Sequence, residues 1–247
     1  MQTRTLTSAI GPWCLTLMLS AGLTSSAAAD QPSDVRADLQ GGQVKALFDG
    51  KTLEGWRGRD DLWSVEEGAI VGRTTEDNPI KGNTFLIFNQ PIDGDFELTL
   101  QYKIDSGNSG IQYRSHVVDE AKFVISGYQA DIDSTGRFTG IVYEEKGRGI
   151  LAERGEEVAV GEDGEKVVDR FAEADDLAKG IHEDKWNDYR ILVRGTTLEQ
   201  FINESLMSRV IDGQTKKAAK SGLIALQLHR GPAMTVRFKN ISIRTWD

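Results

Sequence analysis

Gly107-Asn108-Ser109-Gly110-Ile111-Gln112-Tyr113-Arg114 and, after a loop, Gly127-Tyr128-Gln129-Ala130-Asp131-Ile132-Asp133 decide how this chain is read. Both pieces alternate as strands do, because successive strand side chains leave opposite faces of a sheet. In the first, Ile111 and Tyr113 take one face while Gln112 and Arg114 take the other. In the second, Tyr128, Ala130 and Ile132 oppose Gln129, Asp131 and Asp133. If the two strands are neighbours, Gln112, Arg114, Gln129 and Asp131 form one patch carrying a guanidinium, a carboxylate and two amides. Such a patch suits sugar hydroxyls.

Outward from this stretch the strand pattern continues. Phe96, Leu98, Leu100 and Tyr102 alternate with Glu97, Thr99, Gln101 and Lys103, and Leu223 to His229 places Ala225, Gln227 and His229 on one face. A hairpin is predicted over residues 63–72 around Glu66-Glu67-Gly68, with further strands at 84–88, 140–145, 189–194, 198–203 and 208–211. In Met234 to Arg244 the apolar parity shifts at Lys239-Asn240, which predicts a bulge. Residues 146–185 differ, being rich in Glu, Asp, Lys and Gly, with a helix-like run from Asp169 to Lys179 closed by Gly180. The expectation is an all-β, two-sheet sandwich over 44–247 with one polar insertion that holds a hairpin and a short helix.

The first 29 residues carry Arg4, an apolar run from Ile10 to Leu23 and Ala27-Ala28-Ala29 before Asp30, the layout of a cleaved secretory signal peptide. An exported protein, periplasmic or extracellular, with a flexible lead-in over 30–43 is therefore expected. Cys14 is the only cysteine and lies in that leader, so the exported part has no thiol or disulfide chemistry. No other segment has the ~20 apolar residues of a membrane-spanning helix. The 38 acidic and 29 basic residues give a net charge of -9. That charge repels phosphate backbones and argues against nucleic acid as a partner.

Six blocks carry a resemblance: Leu47 to Trp56, Trp63 to Gly72, Gly107 to Arg114, Gly127 to Asp131, Trp186 to Tyr189 and Ile224 to His229. In this order they resemble the 3-keto-disaccharide hydrolase family, formerly a domain of unknown function in exported bacterial proteins. The resemblance covers residues 44–246. It implies a concanavalin A-like jelly roll and the cleavage of glycosides whose ring is oxidised to a ketone at C3. It also implies a separate sugar 3-dehydrogenase as pathway partner and an oxidised saccharide as substrate. Where members often have Leu-Asn-Gly, this chain has Ile202-Asn203-Glu204, which leaves the turn geometry there open.

A C3 ketone acidifies the C2 hydrogen, so cleavage becomes proton abstraction, β-elimination of the C1 substituent and hydration of the resulting double bond. That route needs a base, a group facing the ketone oxygen and a proton donor. It does not need the two flanking carboxylates of an ordinary glycosidase. His229 is the first choice for acid/base work, since imidazole titrates near neutrality; the alternative is a strand-end histidine bonded to backbone. Asp131 has four open roles: the base, the orienter of His229, a cation ligand, or an ion-pair partner of Arg114. Arg114 supplies charge at the enolate oxygen, grips hydroxyls in a bidentate way, or is an exposed strand arginine. Asn108, Ser109, Gln112, Gln129 and Gln227 are candidates for hydroxyl binding, Tyr128, Tyr143 and Trp186 for ring stacking, with a place in the core as the commoner fate of a strand aromatic, and Glu145 and Arg148 for the cleft rim. His116 and His182 lack zinc-like spacing; no cofactor is firmly expected, and Ca2+ or another divalent cation on Asp131, Asp133 or backbone oxygens stays open. The competing readings are a non-catalytic carbohydrate-binding module and an interaction domain of a larger assembly.

Overall fold

The computed structural model describes Gln2 and residues 41–246. The expected leader, its cleavage point at Ala29-Asp30 and the lead-in as far as residue 40 lie outside the described residues. In chain order the elements are β1 (Gln43–Ala46), β2 (Trp56–Arg57), β3 (Trp63–Glu66), β4 (Ala69–Arg73), β5 (Thr84–Phe88), β6 (Ile92–Asp93) and β7 (Phe96–Ser106). There follow β8 (Asn108–Asp119), β9 (Val124–Asp133), β10 (Val142–Glu145), β11 (Gly149–Ala152), β12 (Glu156–Val160), β13 (Lys166–Arg170) and α1 (Ala174–Ala178). The chain ends in β14 (Asn187–Arg194), β15 (Thr197–Ile202), β16 (Ser205–Asp212), β17 (Ser221–Leu228) and β18 (Thr235–Thr245).

Among the described residues the strands form two sheets. The larger has ten, ordered β13-β12-β16-β15-β14-β7-β18-β4-β3 with β1 added on β18; the smaller has eight, ordered β11-β10-β9-β8-β17-β5-β2 with β6 on β17. Alternation dictates which side chains fill the space between them. Phe96, Leu98, Leu100 and Tyr102 from β7 meet Ile111 and Tyr113 from β8, Tyr128, Ala130 and Ile132 from β9, and Ile224, Leu226 and Leu228 from β17. Each Leu, Ile and Phe among them contributes roughly 1.5–3 kcal/mol of burial free energy. The opposite residues of β8, β9 and β17 therefore face outward from the smaller sheet.

Tyr113, Tyr189 and Gln200 enter this core as a bonded set. Tyr113 stacks on Tyr128 with centroids 5.7 Å apart, and its hydroxyl accepts from Gln200 Nε2 at 3.2 Å. The Tyr189 hydroxyl donates to Gln200 Oε1 at 2.8 Å. Without these partners each buried hydroxyl or amide would cost on the order of 1–3 kcal/mol.

Two irregularities shape the sheet faces. The expected bulge at Lys239-Asn240 is present, with a register shift between Lys239 and Ser242 and Asn240 at φ +54°. A second one lies in β8, where Arg114 and Ser115 together oppose Gly127 of β9 and Arg114 takes φ +46°. A bulge bends its strand and reverses the facing of the residues after it. Beyond it the β8–β9 hairpin curls over the outer face of the smaller sheet. Its tip is pinned there by Phe85 N donating to Phe123 O at 3.0 Å, over an apolar cluster of Phe85, Ile87, Ile125 and Ala225.

The insertion departs from expectation in its helix. Residues 166–170 are strand and α1 covers Ala174–Ala178 alone. The β-branched pair Val167-Val168 favours extended backbone, and Arg170 pairs across the hairpin with Glu156 at 2.8 Å. β12 then lies parallel to β16, so the insertion widens the larger sheet.

Candidate functional site

The outward face of the smaller sheet holds a cleft of about 820 Å3, within the roughly 300–1,000 Å3 of small-molecule sites. Its floor is built by register. Gln112 of β8 opposes Gln129 of β9, and Gln129 opposes Tyr143 of β10, while Leu226 of β17 opposes Ile111, which sets Gln227 beside Gly110. Gly110 itself opposes Asp131. A Cβ at Gly110 would stand 2.5 Å from Gln129 Cγ, so the missing side chain is what lets the Gln129 amide lie across the floor.

That amide is a hub. Its Oε1 accepts from Gln112 Nε2 at 2.6 Å and from Gln227 Nε2 at 2.9 Å, which commits its Nε2 to donate to Asp131 Oδ1. Ser115 Oγ in turn donates to Gln112 Oε1 at 2.7 Å. Asp131 is thereby held in one orientation, 6% exposed, with no cationic side chain bonded to it among the described residues. Burial pushes its carboxyl up to about 7; Glu145 and Asp133 push the same way, while the Gln129 and Asn108 amides oppose them.

Glu145, at the end of β10, is the second carboxylate. It receives the Asn83 amide at 3.4 Å and Gln227 Nε2 at 3.5 Å. Burial raises its pKa above the ordinary carboxylate value, against the lowering effects of Asn83, Lys146 and His229. Gln227 is fully buried, and among the described residues its Oε1 has no hydrogen-bond partner. Tyr143 forms a side wall, and its hydroxyl is made less acidic by burial and by the two carboxylates.

Of the residues singled out from the sequence, Asn108, Gln129, Asp131, Asp133, Tyr143, Glu145, Gln227 and His229 line this cleft. Gln112 lies directly beneath, supporting Gln129. The rest stand elsewhere. Arg114 is turned inward by its bulge and donates to Gly195 O at 2.7 Å, Gly94 O at 2.9 Å and Ala219 O at 3.2 Å. It ties three turns together at one end of the sandwich and is no partner of Asp131. Tyr128 is core, its hydroxyl 2.5 Å from Asp212 Oδ2. Arg148 points to the same carboxylate, at 2.6 Å, and to Glu144, also at 2.6 Å, so it clamps one edge rather than lining the cleft. Ser109 is fully buried and donates to Gln227 O at 2.7 Å. Trp186 belongs to a separate hollow with Glu66, Glu67 and Arg237, under Lys239 Nζ at 4.0 Å.

The two carboxylates weighed as ligands of a hard cation have other tasks. Asp131 takes the Gln129 amide, and Asp133 accepts from Thr135 N at 3.0 Å and Thr135 Oγ1 at 2.8 Å, bracing the 134–139 loop. Among the described residues no group of three or more His, Cys, Asp or Glu could hold a metal ion. The sequence reading missed Asn83, Arg137, Lys146 and Arg230, all lining the cleft from loops where alternation gives no signal. It also missed Gly110, which a glycine inside a strand could have announced.

No helix among the described residues is long and apolar enough to cross a membrane. None of the curated proteins compared with the chain matches it. Among solved structures, a candidate glycosyl hydrolase of Parabacteroides distasonis ATCC 8503 is similar at 18% identity and a TM-score of 0.56, over 83% of this chain and 100% of that one. A Bacillus subtilis protein of unknown function with a galectin-like fold gives 9% identity and a TM-score of 0.55, over 82% and 94%. The carbohydrate-binding module CBM66 of Bacillus subtilis gives 14% and 0.51, over 77% and 96%. These likenesses establish the jelly-roll fold. The sequence profile of the 3-keto-alpha-glucoside-1,2-lyase-like domain matches residues 43–244, so the chain belongs to that family, the 3-keto-disaccharide hydrolases, and its role is a carbohydrate-related one.

Proposed function

We propose that this protein is an enzyme that cleaves 3-keto-glycosides by elimination and hydration. One observation carries the reading: Asp131 is a buried carboxylate, held by the Gln129 amide and, among the described residues, by no cation, and poised near neutral pH, where a general base works best. Its oxygen takes the C2 proton, and the C2–H electrons pass into an enolate on the C3 oxygen. The C1–O bond then breaks, its electrons leaving with the alcohol oxygen, which Glu145 protonates; burial favours the protonated form of Glu145. Water adds across the C1–C2 double bond to give the free 3-keto-sugar. With Arg114 bonded elsewhere, the enolate oxygen falls to other groups of the cleft lining, Asn108 and His229 among them.

The ketone has to be made beforehand, so the substrate comes from a separate sugar 3-dehydrogenase, and the leader over residues 1–29 exports the enzyme to meet it. The rival reading, a sugar-binding module, draws on the likeness to CBM66. A lectin-like site works with amides and aromatic rings and has no use for a carboxylate tuned to about 7. The test is incubation of purified protein with a 3-keto-disaccharide and with its unoxidised parent, followed by mass analysis. Cleavage of the oxidised sugar alone, lost in Asp131→Asn, is the expected result; saturable binding without turnover would hand the chain to the rival.

A further inference from the structure

The floor of the cleft is acidic and its rim is basic. Arg137 on the 134–139 loop, Lys146 at the β10–β11 turn and Arg230 just after β17 reach the same cleft from three separate segments, and all three are exposed. Elsewhere this acidic chain commits its arginines to partners: Arg57, Arg59, Arg73, Arg148, Arg209 and Arg237 all make ion pairs. Among the described residues, neither the Arg137 nor the Arg230 guanidinium has a hydrogen bond or an ion pair, although Asp131, Asp133 and Glu145 share their cleft. Those carboxylates are already engaged by amides and by loop backbone.

The cations are also held in place. The Arg137 loop is braced from within by Asp133 and from outside by buried Arg154, which donates to Gly136 O and Thr139 O at 2.7 Å each. The Arg137 guanidinium rests 4.9 Å from the centroid of the Phe138 ring. Arg230 is fixed at its backbone, where its N donates to Asn83 Oδ1 at 3.0 Å. Lys146 takes φ +56°, a left-handed conformation unfavourable for lysine, which persists where the surroundings enforce it. A rim built this way attracts an anion and a floor built this way repels one, so a substrate with a single acidic group has one orientation.

Resting on the elimination reading, we propose that the substrate is an acidic glycoside: the oxidised ring lies on the Asp131 floor, and a carboxylate or sulfate ester on the neighbouring sugar meets Arg137 and Arg230, with Lys146 adding charge. Planar guanidinium forks suit such oxyanions.

Binding tests this without turnover. Calorimetry on the full protein compares an unoxidised glucosyl-glucuronate disaccharide, its carboxyl-reduced neutral counterpart, and the neutral disaccharide carrying a 6-sulfate on its second ring. The expected result is that an anionic ligand binds at least about tenfold tighter than the neutral one, because charge-assisted bonds are roughly twice as strong as neutral ones. The advantage should shrink as salt is raised and vanish in the Arg137→Gln/Arg230→Gln double variant. Preference for the uronate identifies a carboxylate, and preference for the sulfate an ester. Equal binding of all three, or an advantage that survives the double substitution, overturns the proposal. Failure of the elimination reading would instead appear as no turnover of the 3-keto forms, with the binding preference intact.

Discussion

Two aspartates of this protein are shielded from solvent, Asp131 at 6% and Asp212 at 1% exposure, and end up as opposite chemical groups. Asp212, on β16, is bonded by the Tyr128 hydroxyl at 2.5 Å and by the Arg148 guanidinium at 2.6 and 3.0 Å. Burial alone would raise its pKa, but Arg148 and Tyr128 reverse the sign and hold it below the usual carboxylate value. Asp131 meets burial with amides in place of a cation and rises to about 7. Loss of water is common to both, and the partner decides the outcome. One carboxylate closes the sandwich edge; the other is left with basicity to use.

The largest expected effect falls on the reactive side. Asp131→Asn should lower kcat by roughly a hundred- to ten-thousandfold, the usual worth of a positioned base. It should also stabilise the fold, because a group whose pKa is raised on folding disfavours the folded state once it ionises. Stability from this site is full below about pH 4 and declines as pH rises towards 7, the window between the ordinary aspartate value of 3.8 and the folded one. Thermal unfolding of wild type and variant at pH 5 and pH 8 should therefore show a larger gain at pH 8; an equal gain in Tm at both would contradict the assignment.

On the structural side, Asp212→Ala should cost up to about 3–5 kcal/mol in denaturant melts, since it leaves the buried Tyr128 hydroxyl without its acceptor and Arg148 with Glu144 as its remaining carboxylate. Asp212 has a depressed pKa, so its contribution is present above the ordinary aspartate range and disappears as pH falls through the folded value. Acid melts should show that loss in wild type and not in the variant.

Between these lies Gly110→Ala. Its Cβ would meet Gln129 Cγ at 2.5 Å and Cδ at 2.6 Å, so the amide must leave Asp131 while the fold survives. A pH–rate profile displaced from that of wild type, with an unchanged circular dichroism spectrum, is the expected signature. The smallest effect concerns the turn at Asn203-Glu204, where both residues have positive φ, 48° and 70°. Glu204→Gly relieves a left-handed side-chain penalty of about 1 kcal/mol and gives up the interaction that Glu204 makes, so stability should change by less than about 1 kcal/mol with activity unchanged.

The sandwich was legible because alternation and burial coincide: the faces assigned to β9 and β17 from the sequence are the observed ones, down to Gln129, Asp131 and Gln227 outside and Tyr128, Ala130 and Leu226 inside. Arg114 was misplaced because one extra residue in β8 reverses a face, and a bulge whose left-handed residue is arginine leaves no glycine to mark it. Tyr128 and Arg148 were misplaced because their partner, Asp212, is 84 and 64 residues away. The rim cations sit in loops, where no periodicity assigns a face.

The contrast between the two aspartates can be measured directly. A 13C NMR titration of the aspartate side-chain carboxyls, assigned through Asp131→Asn and Asp212→Asn, should show Asp131 titrating near pH 7 and Asp212 below the ordinary carboxylate range. Two carboxyls titrating together near the ordinary value would show that their surroundings do not distinguish them, and Asp131 would lose its claim to be the base.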